Sequence, residues 1–151
     1  MERRDFYDAG TYEALLGRIA QLTPDAVAAW GKMTVGQVCA HCAEVAEVAD
    51  GKALVGTPWF LRLLGPWIKK MVLRDKPFPR GVKTHPQYEM EAAADFEEQR
   101  ERLLGVLDAM HSAGRARAGA TRHPIFGEMT ADEHGWLTYK HLDHHLTQFG
   151  V

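Results

Sequence analysis

Apolar residues recur along the chain at three- and four-residue spacing, with no sustained alternation of period two, so the pattern predicts helices and an all-α architecture. A first helix is expected from Thr11 to Leu22. In "TPDAVAAW", Thr23 then serves as an N-cap with Pro24 at the first helical position, starting a short second piece that Gly31 ends. The next helix begins at "TVGQ", where Thr34 and Gln37 have capping-box spacing, and runs to Asp50 before Gly51 stops it.

Between Gly51 and Thr84 the chain is punctuated by Gly56, Pro58, Gly65, Pro66, Pro77, Pro79 and Gly81, which leaves room only for short helices such as Trp67 to Leu73. A long helix from Tyr88 to Met110 then turns Ala92, Phe96, Leu103, Leu107 and Met110 toward a core and stops near Gly114. "GRARAGATRHPIFGEM" reads as a loop. "TADE" repeats the capping-box spacing at Thr130 and Glu133 and opens the final helix. Four principal helices, each with one stripe to bury, predict a four-helix bundle with a long crossover between the second and third.

At 151 residues and 46% hydrophobic, the chain has the material for one continuous core, so residues 1–151 are expected to form a single domain. A formal charge of -2 with interspersed acids and bases argues against nucleic acid as an obligatory partner. Two cysteines are too few to staple a secreted scaffold, and "MERRDFYDAG" is followed by no apolar signal region, which makes the cytoplasm the default compartment. No apolar run approaches the roughly 20 residues of a membrane span. The segment "PWFLRLLGPWIKKMVLR" is nevertheless amphipathic and basic, which leaves surface contact open. Trp59, Phe60, Trp67 and Phe78 read most simply as core or lid residues over one bundle end, with a pocket wall, a homodimer contact or a lipid-facing surface as alternatives.

The candidate chemistry lies in "HLDHHLTQF". At about 100° per residue, His134, Leu137, His141, His144, His145 and Gln148 share one stripe of the last helix. Lys140, Asp143 and Thr147 fall opposite and are expected to meet water. His141 and His145 have the i,i+4 spacing by which one helix offers two imidazoles to one ion. His41 sits mid-face on the helix from Thr34 and is the histidine placed to complete a triad. Three neutral ligands leave a divalent charge uncompensated and a coordination position open, which favours chemistry or ligand capture over a structural role. Gln37, His144 and Gln148 are candidates to orient the ligands through hydrogen bonds. His85, His111 and His123 fall in or near loops and stay outside the expected site, with His134 a neighbour.

"CAHC" lies over a turn inside a helix, without the strand that precedes a thioredoxin-type pair, so Cys39 and Cys42 are expected to be small buried thiols. No phosphate-cradling glycine loop, GxSxG elbow or HExxH is present.

From "LTPDAVAAWGKMTVGQVCAHCAEV" to "HPIFGEMTADEHGWLTYKHLDHHLTQFG" the chain resembles the DinB/YfiT-like superfamily of metalloenzymes, which has a histidine on the second helix and HxxxH, often within HxxHHxxQ, on the last. The resemblance implies a four-helix bundle holding a divalent metal, zinc or nickel, on His41, His141 and His145 at an open pocket. It also implies a small-molecule substrate and, as in some relatives, a low-molecular-weight thiol such as bacillithiol, mycothiol or glutathione used by a transferase or isomerase. With the sequence ending directly after the last helix, the activity of the maleylpyruvate-isomerase-like members, which carry an extra C-terminal domain, is not expected. Metal-assisted hydrolysis would use the same residues. The competing expectation is a non-catalytic bundle that acts through its basic amphipathic crossover on a membrane surface or partner, with Arg62, Lys69 and Lys70 supplying charge.

Overall fold

The computed structural model describes residues 1–82, 84–90 and 94–151, and among these every regular element is helical. Helix α1 spans Ala9–Ile19. It starts ahead of Thr11 because Asp8 caps it, its carboxylate accepting from Thr11 N at 2.9 Å. The short helix expected after Thr23 does not form. Ala26 N closes a single turn onto Thr23 O, and Ala29 N is drawn to the carbonyl of Gln148 at 2.8 Å, so tertiary pairing replaces a local helix.

Helix α2 spans Val35–Ala49 with both halves of the Thr34/Gln37 capping box present. In the connection that follows, α3 spans Trp59–Val72 with Pro66 inside it, so it is longer than the expected Trp67 to Leu73. Proline removes one backbone donor, a loss this two-sided helix tolerates near its middle. A 3-10 turn covers Pro86–Tyr88. Helix α4 spans Phe96–Ala120, not Tyr88 to Met110: Asp95 caps it, accepting from Glu98 N at 2.9 Å. Ala92, assigned above to this helix, lies outside the described residues. Gly114 (φ 74°) does break the helical conformation, but helical turns resume beyond it to Ala120, into the stretch read as a loop. Helix α5 spans Ala131–Gln148 behind the Thr130/Glu133 capping box.

Helices α2 and α4 share the most extensive contact, α5 packs on both, and α1 closes against α4 and α5. Their apolar stripes meet in one core that runs from Phe6 through Leu15, Val38, Leu107 and Trp136 to Phe149.

Helix α3 is attached differently. Gly65 sits against the backbone carbonyl of Ile125, where any β-carbon would overlap. At its C-terminal end Lys140 Nζ donates to the carbonyls of Val72 (2.7 Å) and Arg74 (2.9 Å), and Trp136 Nε1 donates to Leu73 O at 3.1 Å. Lys140, which helical periodicity assigns to solvent, is instead 2% exposed. Its charge is answered by two carbonyls at a helix C-terminus and by the Phe78 ring 4.2 Å away. The outer side of α3 is apolar and open: Trp59 is 74%, Leu63 71% and Trp67 65% exposed, with Phe60, Leu64 and Met71 beside them. Trp59, Phe60 and Trp67 are therefore not core, because α3 turns Leu61, Gly65, Ile68 and Val72 to the protein instead. No helix is long and apolar enough to cross a membrane among the described residues.

Candidate metal centre

α2 and α5 face each other across the core and bring His41 to His141 and His145. The Nε2 atoms of His41 and His141 lie 3.1 Å apart, and one ligand nitrogen from each of the three rings lies within 4.8 Å of the others. Bonds of about 2.1 Å at a tetrahedral angle would place ligand nitrogens about 3.4 Å apart, so the His41–His141 edge already has the size a zinc-like ion needs. The donor set is all imidazole, without a carboxylate.

Second contacts fix which nitrogen each ring offers. His41 Nδ1 donates to the Tyr88 carbonyl at 2.7 Å, which leaves the lone pair on Nε2, where it faces His141 Nε2 at 3.1 Å. Gln148 Nε2 donates to Trp30 O at 2.6 Å, so its Oε1 must be the atom that accepts from His145 Nδ1 at 2.9 Å. That leaves the lone pair of His145 on Nε2 as well. Fixing Nδ1–H on an acceptor and presenting Nε2 is the arrangement by which proteins orient metal-binding histidines.

All three rings are held neutral. Burial lowers the pKa of His41, that of His145 falls to about 3, and His141 is pushed well below the usual range by burial and then by its two neighbouring imidazoles. Neutral imidazole is the form that binds a cation.

Of the three, His141 opens onto a cavity of about 210 Å³ walled mostly by apolar groups, among them Val45, Phe126 and Leu137. His123, His134 and Thr138 line the same cavity. His123, left outside the site on sequence grounds, is 7% exposed and belongs to this cavity.

The other candidates fall elsewhere. His144 packs on Trp30 and Phe78, with ring centroids 5.9 Å from each, and meets the His145 ring edge-on at 5.0 Å. Gln37 uses its side chain to cap α2 and donates to Met90 O at 2.6 Å. Asp143 pairs with Arg18 at 2.7 Å. Cys39 and Cys42 are buried thiols, the first raised to about 11 by burial and the second further, although Cys42 touches the cavity. The Tyr88 and Trp30 carbonyls, which orient two of the three rings, carry no side-chain signature and could not have been read from residue type.

Comparison with curated proteins and with solved structures finds no match. A family match covers residues 2–150, which is all but the two ends, and the chain accordingly belongs to DUF1569, a protein family of unknown function.

Proposed function

We propose that this protein binds a divalent metal through Nε2 of His41, His141 and His145, and that the centre serves a metal-dependent enzyme of the DinB/YfiT-like kind. The observation that carries the reading is the pair of fixed Nδ1–H groups, on Tyr88 O and Gln148 Oε1, which leaves the lone pairs of His41 and His145 on Nε2 within a cluster whose ligand nitrogens lie within 4.8 Å of one another. The contacts among α1, α2, α4 and α5 support the corresponding four-helix bundle, formed as one domain by residues 1–151.

Zinc suits an all-imidazole set, with nickel as the alternative. An ion held there supplies Lewis acidity, lowering the pKa of a thiol or of water at neutral pH. The protein's own part is to hold three neutral donors, to leave one approach open through the cavity, and to keep that approach dry with Val45, Phe126 and Leu137. A dry, apolar approach suits transfer of a small thiol to an apolar electrophile, so a thiol-dependent S-transferase is the reaction favoured, ahead of hydrolysis.

Metal analysis of the purified protein and of His41→Ala tests the centre. One equivalent of metal per chain, lost in the variant and restored after chelation only in the wild type, is expected. Substoichiometric metal unchanged by the substitution would sink it.

A second reading has its own observation, the open apolar face of α3. Residues 51–74 contain five basic and no acidic residues, and Lys70 and Arg74 flank that face. Trp and Leu on one side with Lys and Arg at the edges is the composition of a helix lying in an anionic lipid surface. A second copy of α3 would instead meet like charge. Co-sedimentation with phosphatidylglycerol-containing vesicles, abolished by Leu63→Glu and absent with phosphatidylcholine alone, is expected; concentration-dependent dimerisation without vesicle binding would refute it.

A further inference from the structure

The cavity beside His141 has a second polar feature. His123 and Gly127 exchange two backbone hydrogen bonds of 2.9 Å, closing a tight turn in which Gly127 takes φ 73°. Inside this turn His123 Nδ1 accepts from Ile125 N and from Phe126 N, both at 3.2 Å, and the ring lies flat on Phe126 with centroids 4.2 Å apart. With Nδ1 accepting, the proton of the neutral ring must be on Nε2. No described residue accepts it.

His134, one turn before Thr138 on α5, is the mirror case. Its Nε2 lies 3.2 Å from the Thr121 carbonyl, which can only accept, so Nε2 carries the proton and Nδ1 keeps a lone pair. Both rings border the cavity.

We infer that His123 and His134 form a recognition wall for a small, uncharged, largely apolar ligand whose polar end both accepts and donates a hydrogen bond, as a hydroxyl or a primary carboxamide does. Burial keeps both rings neutral at pH 7, with His123 lowered to about 4, so the wall offers one fixed donor and one fixed acceptor and no charge. An anion would find no counter-charge there. The volume, about 210 Å³, is below the roughly 300 Å³ at which pockets for drug-sized molecules begin, which limits the ligand to about one substituted ring. Calling this ligand the substrate rests on the metal-centre reading; the wall itself does not.

Calorimetric titration with benzamide and with toluene, its apolar counterpart, tests the inference on the purified protein. Benzamide is expected to bind at least about tenfold tighter, since a site built around buried polar groups rejects a ligand that leaves them unpaired. His123→Asn can still accept the two backbone N–H groups through Oδ1 while removing the Nε2 donor. It is expected to erase most of the preference and to leave toluene affinity and metal content unchanged. Equal affinities in the wild type, or a preference that survives His123→Asn, overturn the wall.

A measurement without any variant stands beside it: ¹⁵N spectra of labelled histidine should show Nε2–H tautomers for His123 and His134, and benzamide should shift the His123 Nε2 resonance. Absence of that shift also overturns the inference. If metal is never bound and the benzamide preference persists, the metal reading fails and the wall stands. If metal is bound and the preference is missing, the wall alone fails.

Discussion

His145 Nδ1 donates to Gln148 Oε1 at 2.9 Å, and the same glutamine holds the Trp30 carbonyl at 2.6 Å, so one side chain ties a candidate metal ligand to a segment more than a hundred residues earlier. Gln148→Ala is expected to weaken metal binding by about 10- to 100-fold, the usual effect of removing a partner that orients a ligand. It should also cost about 1–3 kcal/mol of stability through the unanswered Trp30 carbonyl. Competition with a chromophoric chelator measures the first effect and urea unfolding the second. Unchanged affinity would remove Gln148 from the centre.

Lys140→Met keeps the volume and strips the charge. The carbonyls of Val72 and Arg74 then lose their donor at the C-terminal end of α3, where a cation is favoured by the helix dipole. A loss of about 2 kcal/mol is expected, of the order found when a buried acceptor goes unpaired. Hydrogen exchange should quicken selectively over residues 59–76. Burial also lowers the lysine's own pKa, with Asp75 partly opposing it, so the clamp should weaken at strongly alkaline pH.

Gly65→Ala gives a test of sign. In an open helix the change would stabilise by up to about 1 kcal/mol. Here the new β-carbon would overlap the Ile125 carbonyl, so the variant should be destabilised by about 1–3 kcal/mol, the range for overpacking. Since Ile125 belongs to the turn that holds His123, the His123 ring resonances should move as well. A stabilised Gly65→Ala would show that α3 does not rest on this turn.

The pH dependence follows from His123, whose pKa falls from 6.5 to about 4 on burial. Above pH 6.5 the ring is neutral in both folded and unfolded chains and contributes no slope. Between 6.5 and about 4 the unfolded chain binds a proton that the folded one does not, so stability falls as pH falls, by up to roughly 1.4 kcal/mol per pH unit for this group. Below about 4 the slope from His123 vanishes. Chemical unfolding of wild type and His123→Asn across this range should differ by up to one proton; parallel curves would place His123 in water.

The helices that carry the candidate ligands were legible because their signals are local. Thr34 with Gln37 and Thr130 with Glu133 are reciprocal caps that a peptide can form unaided, and both stand in the structure as the spacing predicts. The facing of His41, His141 and His145 follows from helical periodicity in the same way. Boundaries set by competition were not legible. Thr23 and Pro24 make a good helix start, yet the segment is taken by Gln148; Tyr88 begins a plausible helix, yet Asp95 is the better cap.

Periodicity likewise assigned Lys140 to water, since a two-sided view of α5 cannot anticipate that α3 will end above it. The same limit hid His123: its type and its loop position give no hint that two backbone N–H groups will take Nδ1 or that the residue will border the cavity.

What the sequence determined by itself, then, is helical content, the capped frames of α2 and α5, and which faces their histidines occupy, because these depend on contacts within four residues. Tertiary structure decided the rest. It set the 3.1 Å approach of His41 to His141, the tautomers imposed by the Tyr88 and Trp30 carbonyls, the burial of Lys140 and the cavity between the His123 turn and α5. Each of those joins backbone or side-chain groups distant in the chain, and backbone carbonyls are the same in every residue, so their roles emerge only when packing chooses their partners.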